Sequence, residues 1–527
     1  MVRAYKKFSF RVSNNPTRDW ADKTRSIALS RRVVVVLQTR MMWIWAQRCL
    51  RGFALIGLLA LAATLSSAQS LDSDYPSRGA ILAAKKLGSI DPSSRHTLKH
   101  KQIENVLGFV TPWNPQGYDL VEKYRGKFTA VCPVWYQLKT DGDELQRYKI
   151  HGGPPKEKDA EWYQRLREST VDESNGQVLD PVKVLPRIAL EGWTTGDFQT
   201  LLNSSLEGIA FTEAITAEIV LRGYDGLMLE TGAIWALREP LRLLSQRLHE
   251  ETKELLVVLP PLREDTPQEN QVLLQAVREM ADFVDGFQVM TYDYHGPSGA
   301  PFKPGRPMPQ DSPLSRDGVR TFGPNAPLSW IERNVEGFGS QLDDATPQSV
   351  FGSSVSGGAP LEKILVGLPL YGYQYALGWL NDEGAAQLIT PPSSPTSLKD
   401  AIAEEQLKSR LRAEQREETR GLHPILTQAG SPISLADVRE TLNGTKALVR
   451  RDEASKENFI DFIKAREDGE TFTRPDGSVV PVAWYRRAYF ASYGTQRARL
   501  ELVERLGVGG VALWEVGQGE EWVLDAL

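Results

Sequence analysis

Eight short runs of consecutive apolar residues, many of them β-branched, punctuate the chain at 105–110, 127–134, 183–188, 226–229, 254–259, 286–290, 363–368 and 508–514. Runs that are apolar at nearly every position predict strands buried on both faces, as in a parallel sheet. Between them the apolar spacing changes to three and four. Residues 211–222 follow this helical spacing and stop at Gly223, a residue suited to the left-handed turn that closes a helix. Residues 268–283 and 495–506 read alike, the latter stopping at Gly507. Eight strands alternating with helices predict an α/β fold, a (β/α)8 TIM barrel over residues 105–527. A doubly wound open sheet is the alternative, weakened by the lack of a glycine-rich dinucleotide turn after the first run.

Three stretches exceed ordinary barrel loops. Residues 140–180 are charged, with a short helical pattern at 162–166, and 295–325 are rich in Pro and Gly. Residues 371–490 are long enough for a small inserted α+β subdomain after the seventh strand, with a helix start near Asp437. Inside it, Pro391-Pro-Ser-Ser-Pro-Thr-Ser and the charge-dense run after Leu398 read as a solvated excursion.

Charge and targeting change the picture at the amino terminus. The net charge is −5, yet residues 1–51 hold twelve Lys/Arg against two acids, leaving −15 for the rest. An acidic body excludes nucleic acid and anionic membrane surfaces as partners. Arg48 and Arg51 precede an apolar run at 53–65 and then Ser66-Ser67-Ala68-Gln69. That order predicts a signal peptide over 41–68 cut after Ala68, with an uncleaved signal anchor as the other reading. Residues 1–40 then read as a basic upstream extension or an alternative targeting leader, with Met41 and Met42 where a conventional signal would start, and 69–104 as a polar stem. The expected location is secreted, or an endomembrane lumen such as lysosome or vacuole. Asn203-Ser204-Ser205 and Asn443-Gly444-Thr445 are glycosylation acceptors that suit it. Cys49 leaves with the signal, so Cys132 stands alone in an apolar strand, buried and inert, with no intramolecular disulfide.

Chemistry enters at Gly223-Tyr224-Asp225-Gly226-Leu227-Met228-Leu229-Glu230-Thr231-Gly232. This stretch resembles the strand-four signature of family 18 glycoside hydrolases, the chitinases: Asp-Gly-apolar-Asp-apolar-Asp-x-Glu. Met228 falls on the second acidic position, Glu230 on the third, and Gly232 on the proton-donating glutamate. In chain order, Met290-Thr291-Tyr292-Asp293 resembles the strand-six motif, Gly367-Leu368-Pro369-Leu370-Tyr371-Gly372 the strand-seven motif, and Gly509–Glu515 the strand-eight motif with its tryptophan floor. Within the family, Gly108–Asn114, Pro133-Val134-Trp135, Pro324–Trp330 and Trp514–Gly519 resemble the chitinase domain-containing protein 1 branch.

The resemblance implies substrate-assisted chemistry, in which the sugar's own acetamide attacks and the protein supplies one acid. Strand alternation puts Met228, Glu230 and Gly232 on one inward face. Glu230 is the candidate catalytic carboxylate, read as a pocket-lining hydrogen-bonder, as a relocated acid, or as a structural glutamate paired with a cation. Trp514, Tyr292, Asp293, Met290, Trp113, Trp135 and Tyr136 are the candidate substrate-binding residues, with Glu191 and Trp193 behind them. The implied function is binding of chitin or N-acetylglucosamine-type oligosaccharides without efficient hydrolysis. The alternatives are an active chitinase-type hydrolase using Glu230, and a non-enzymatic scaffold whose pocket is closed by side chains such as Met228. No cofactor is implied. The six histidines are scattered and predict no metal site.

Overall fold

A computed structural model describes residues 81–82, 103–141, 147–172, 176–296, 322–339, 358–380, 386–387, 423–445, 447–465, 471–473, 479–481 and 483–527. The upstream extension, the signal segment, most of the stem, most of the Pro/Gly-rich stretch and the excursion after Pro391 lie outside them.

Eight parallel strands pair in sequence order and the last returns to the first. They are Asn105–Val110; Ala130–Pro133 resuming as Tyr136–Lys139; Lys183–Val184 resuming as Arg187–Ala189; Gly226–Glu230; Glu254–Leu259; Gly286–Val289; Ile364–Pro369; and Gly510–Trp514. The two broken strands pair half by half, Ala130 opposite Lys183 and Tyr136 opposite Ile188, so the ring stays joined across both breaks. Asn105 opposite Gly510 closes it. This is the predicted α/β barrel.

The apolar runs have two faces because the barrel has two cores. Leu107, Phe109, Cys132, Val134, Leu185, Met228, Leu256, Val258, Leu365 and Ala512 fill the inside. Leu227 and Leu229, the neighbours of Met228, belong to the larger core between sheet and helices. Each fully buried side chain of this kind contributes roughly 1.5–3 kcal/mol.

Helices form and stop where local chemistry says they should. In Ser205–Arg222 the Ser204 hydroxyl accepts from the Glu207 N–H, and Gly223 ends the helix at φ +68°. Helix Tyr493–Leu506 ends likewise at Gly507, φ +66°. Between the seventh and eighth strands the chain builds a mainly antiparallel sheet. Tyr371–Leu380 pairs on one side with Ala483–Phe490, which pairs in turn with Asn458–Ala465, and on the other with His423–Ser434. Helix Leu435–Gly444 follows, its start fixed by reciprocal bonds between Ser434 and Asp437. No described helix is long and apolar enough to cross a membrane.

Candidate functional site

The carboxyl ends of the second, third, fourth, sixth and eighth strands converge with the first strand of the insert. Trp514, last residue of the eighth strand, is half-buried, with Phe109 meeting it edge-on at 5.1 Å. On the sixth-strand side the buried ring of Tyr292 lies nearly parallel to it, centroids 6.5 Å apart at 19°. Met290 packs against the inner core beside Trp514. Burial holds the Tyr292 hydroxyl well above the usual phenol range, and the charges of Glu230 and Asp293 push it the same way.

Asp293 follows at φ +63°, a left-handed conformation uncommon outside glycine. Its Oδ1 accepts from the Tyr373 hydroxyl at 2.8 Å and from the Tyr371 hydroxyl. Both tyrosines come from Tyr371–Leu380, so the insert supplies one wall of the site. The Asp293 N–H donates to Asn325 Oδ1 at 2.7 Å.

Opposite lies a charged cluster. Arg187 Nε donates to Glu230 at 2.6 Å. Its two terminal nitrogens reach Glu191 at 3.5 Å, and Gln137 donates to the other Glu191 oxygen at 2.5 Å. Burial works against the Arg187 charge, but contact with Glu230 outweighs it and the guanidinium rises above its ordinary value. Glu230 therefore lines the mouth with a cation on its carboxylate. Two residues on, a β-carbon at Gly232 would meet nothing within 4 Å. Met228, two residues back, is wholly buried in the inner core. Asp225, at the opposite end of the strand, is held by a two-pronged contact with Arg167.

The remaining candidates are placed elsewhere. Trp113 stands 68% exposed on the loop after the first strand, next to Asn114, which donates to Glu515 at 2.8 Å. Trp135 and Tyr136 sit in the layer between sheet and helices. The Trp135 indole N–H donates to the Tyr118 hydroxyl at 2.7 Å, and its ring is enclosed by Tyr118, Trp162 and Tyr163. Tyr136 shares a hydrogen bond with Tyr224 at 2.9 Å and donates to Glu218 at 3.0 Å. Trp135 is outward by alternation from the inward Cys132 and Val134, and the break after Pro133 turns Tyr136 outward too, away from Trp514 and Tyr292. Trp193 is in the same layer, against Tyr148 and Phe198, whereas Glu191 is at the mouth.

Four contributors escaped the sequence reading: Arg187, Gln137, Tyr373 and Asn325. A cation inside an otherwise apolar strand marks Arg187, and the alternation Tyr371, Tyr373, Tyr375 marks one tyrosine-bearing strand face. Nothing local marks Asn325. Among the described residues no group of three or more His, Cys, Asp or Glu could hold a metal ion. The arrangement offers aromatic faces that suit the C–H faces of a sugar, and carboxylates and hydroxyls that suit its polar groups.

Comparison with known proteins bears on the family and the fold. The sequence model of glycosyl hydrolases family 18 matches residues 155–519. The Drosophila melanogaster protein "Probable chitinase 2" is 30% identical over 215 residues, which cover 37% of this chain and 36% of the fly protein. The chain thus matches little more than a third of that relative's length. A class V chitinase from Pseudomonas fluorescens Pf-5 superposes with a TM-score of 0.50 at 17% identity, over 80% of this chain and 98% of its own, a likeness of fold. A chitinase from Chromobacterium violaceum ATCC 12472 gives 0.49 at 15% identity, over 80% and 97%.

Proposed function

The chain belongs to glycosyl hydrolases family 18, and from that premise we propose that it is a chitinase-like protein of the secretory pathway. It binds chitin or N-acetylglucosamine-type oligosaccharides and does not hydrolyse them efficiently. The observation that carries this reading is the pairing of a bare Gly232 with a Glu230 already engaged by Arg187. A glycosidase acid must bring a proton to the glycosidic oxygen. Gly232 has no side chain to do so. Glu230 is instead engaged by Arg187, a largely buried guanidinium whose other carboxylate contact among the described residues is the long one to Glu191. Binding asks less: Trp514 and Tyr292 provide a platform, and Asp293, Tyr371 and Tyr373 provide polar groups at its edge. Membership of the chitinase domain-containing protein 1 branch and passage through the secretory lumen belong to the same proposal, as do glycans on Asn203 and Asn443, which are both exposed.

The test is titration of the purified protein with N-acetylchitooligosaccharides, followed by tryptophan fluorescence, beside a prolonged incubation for cleavage products. We expect saturable binding, no products, and about tenfold weaker binding in Trp514→Phe, which keeps a ring against Phe109 and Tyr292. Products that disappear in Glu230→Gln would replace this reading with hydrolysis by a relocated acid. No binding at all would leave the barrel as a scaffold.

A further inference from the structure

We propose that a buried ion pair outside the site, Glu457 with Arg499, acts through Asn325 to fix the orientation of Asp293 and so sets the affinity of the sugar site. This rests on the sugar-binding reading above and adds three positioning residues to it.

The chain of contacts is continuous. Asn325 is buried and makes three bonds around Asp293. Its side-chain oxygen accepts the Asp293 N–H at 2.7 Å, its main-chain oxygen accepts the Tyr294 N–H at 2.9 Å, and its amide donates to the Tyr371 carbonyl at 3.0 Å. One residue thus holds both the backbone beneath the Asp293 carboxylate and the strand whose tyrosine hydroxyls bind that carboxylate. Asp293 needs such holding. A left-handed backbone at a residue other than glycine is unfavourable by about 1 kcal/mol or more, and persists only where its surroundings fix it.

Asn325 is fixed in turn from the insert. Glu457 accepts the Asn325 N–H on one oxygen at 3.0 Å and the Ala326 N–H on the other at 2.7 Å. Arg499, from helix Tyr493–Leu506, donates to Glu457 at 2.6 Å and to the Ala326 carbonyl at 2.9 Å. Both side chains are 1% exposed. Burial pulls the Arg499 guanidinium below its usual value despite Glu457, so the pair is kept in the interior against its desolvation. A buried pair of this sort is poor at raising stability, since apolar residues of similar volume do as well. What apolar residues cannot do is present two acceptor oxygens to two successive backbone N–H groups. That fork fixes the rotation of the 325–326 segment, and with it the peptide to which Asp293 is tied.

The experiment has two arms. Hydrogen exchange followed by mass spectrometry over residues 290–296 reads the hold on Asp293 without any sugar. Oligosaccharide titration reads its consequence. Glu457→Gln and Asn325→Ala are compared with wild type, alone and on an Asp293→Ala background. Asn270→Ala removes a similarly buried asparagine, whose side chain bonds Arg263, as a control for lost stability. We expect both positioning variants to speed exchange in this segment about tenfold and weaken binding about tenfold. On the Asp293→Ala background neither should weaken binding further, and Asn270→Ala should lower Tm alone. Unchanged exchange in folded Glu457→Gln overturns the proposal; if that variant does not fold, unchanged exchange in Asn325→Ala overturns it instead. A binding loss that persists without the Asp293 carboxylate overturns it as well. A wild type that binds no oligosaccharide removes the sugar-site reading, and the exchange arm still decides the positioning.

Discussion

Glu515 shows what a single carboxylate does when the fold closes over it. It follows Trp514, is 2% exposed, and accepts from Asn114 at 2.8 Å and from the Gly517 N–H at 2.9 Å. Burial raises its carboxyl above the ordinary 4.5, although those two bonds favour the ion. A raised carboxyl binds its proton more tightly in the folded chain than in the unfolded one. The stability it contributes is therefore full below about pH 4.5 and is lost as pH rises through the folded value. Glu515→Gln should flatten this part of the stability profile, as read by urea unfolding between pH 4 and 7. Identical slopes in the two proteins would show that Glu515 does not titrate as its burial implies. At this scale the sequence was only partly readable. The identities at 228, 230 and 232 could be aligned to a motif, but the partner that engages Glu230 is Arg187, forty-three residues earlier in the chain.

At the scale of elements, the strands were legible because burial on both faces leaves uninterrupted apolar runs. The register inside the broken strands was not. Apolar residues continue through Val134 and Trp135, so the composition gives no sign that pairing stops at Pro133 and resumes at Tyr136. A shift of one residue exchanges the two faces of a strand. Trp135 faces the helices by simple alternation from Cys132 and Val134, and the shift at the break puts Tyr136 on that face as well. The fourth strand offers a direct check on how tightly the barrel is drawn. At its first residue, Gly226, a β-carbon would lie 2.2 Å from the Glu254 carbonyl oxygen and 2.7 Å from the Glu254 nitrogen, both backbone atoms of the fifth strand. Two residues beyond its last, Gly232 opens on empty space. Gly226→Ala should therefore cost about 1–3 kcal/mol by forcing two paired strands apart, while Gly232→Ala should leave the urea midpoint within about 0.5 kcal/mol of wild type. Equal midpoints in the two variants would mean that the fourth and fifth strands are not this close.

For the whole molecule, closure decides whether any site exists, because its residues come from strands two, three, four, six and eight and from the insert. Strand order can be read along the chain, but closure depends on contacts between its distant parts. Asn105 pairs with Gly510, and the buried Lys127 ammonium donates to the main-chain oxygens of Leu524 at 3.1 Å and Leu527 at 2.9 Å. Lys123 adds an exposed ion pair with Glu521, which contributes little. The buried lysine is different. Deleting 521–527 would leave an ammonium without these acceptors in an apolar setting, at a cost of about 3–5 kcal/mol on top of the lost packing of Trp522 and Leu524. Lys127→Met with the tail in place removes the buried ammonium instead of stranding it, and leaves the Leu524 and Leu527 main-chain oxygens without this donor. The combination is the informative case. Lys127→Met in the shortened chain should recover part of the stability that the deletion removed, a favourable coupling measurable by urea unfolding of the four proteins. If the two changes add, Lys127 is not what ties the tail to the barrel, and the closure of first strand on last rests on the strand pairing and the apolar packing of the tail alone.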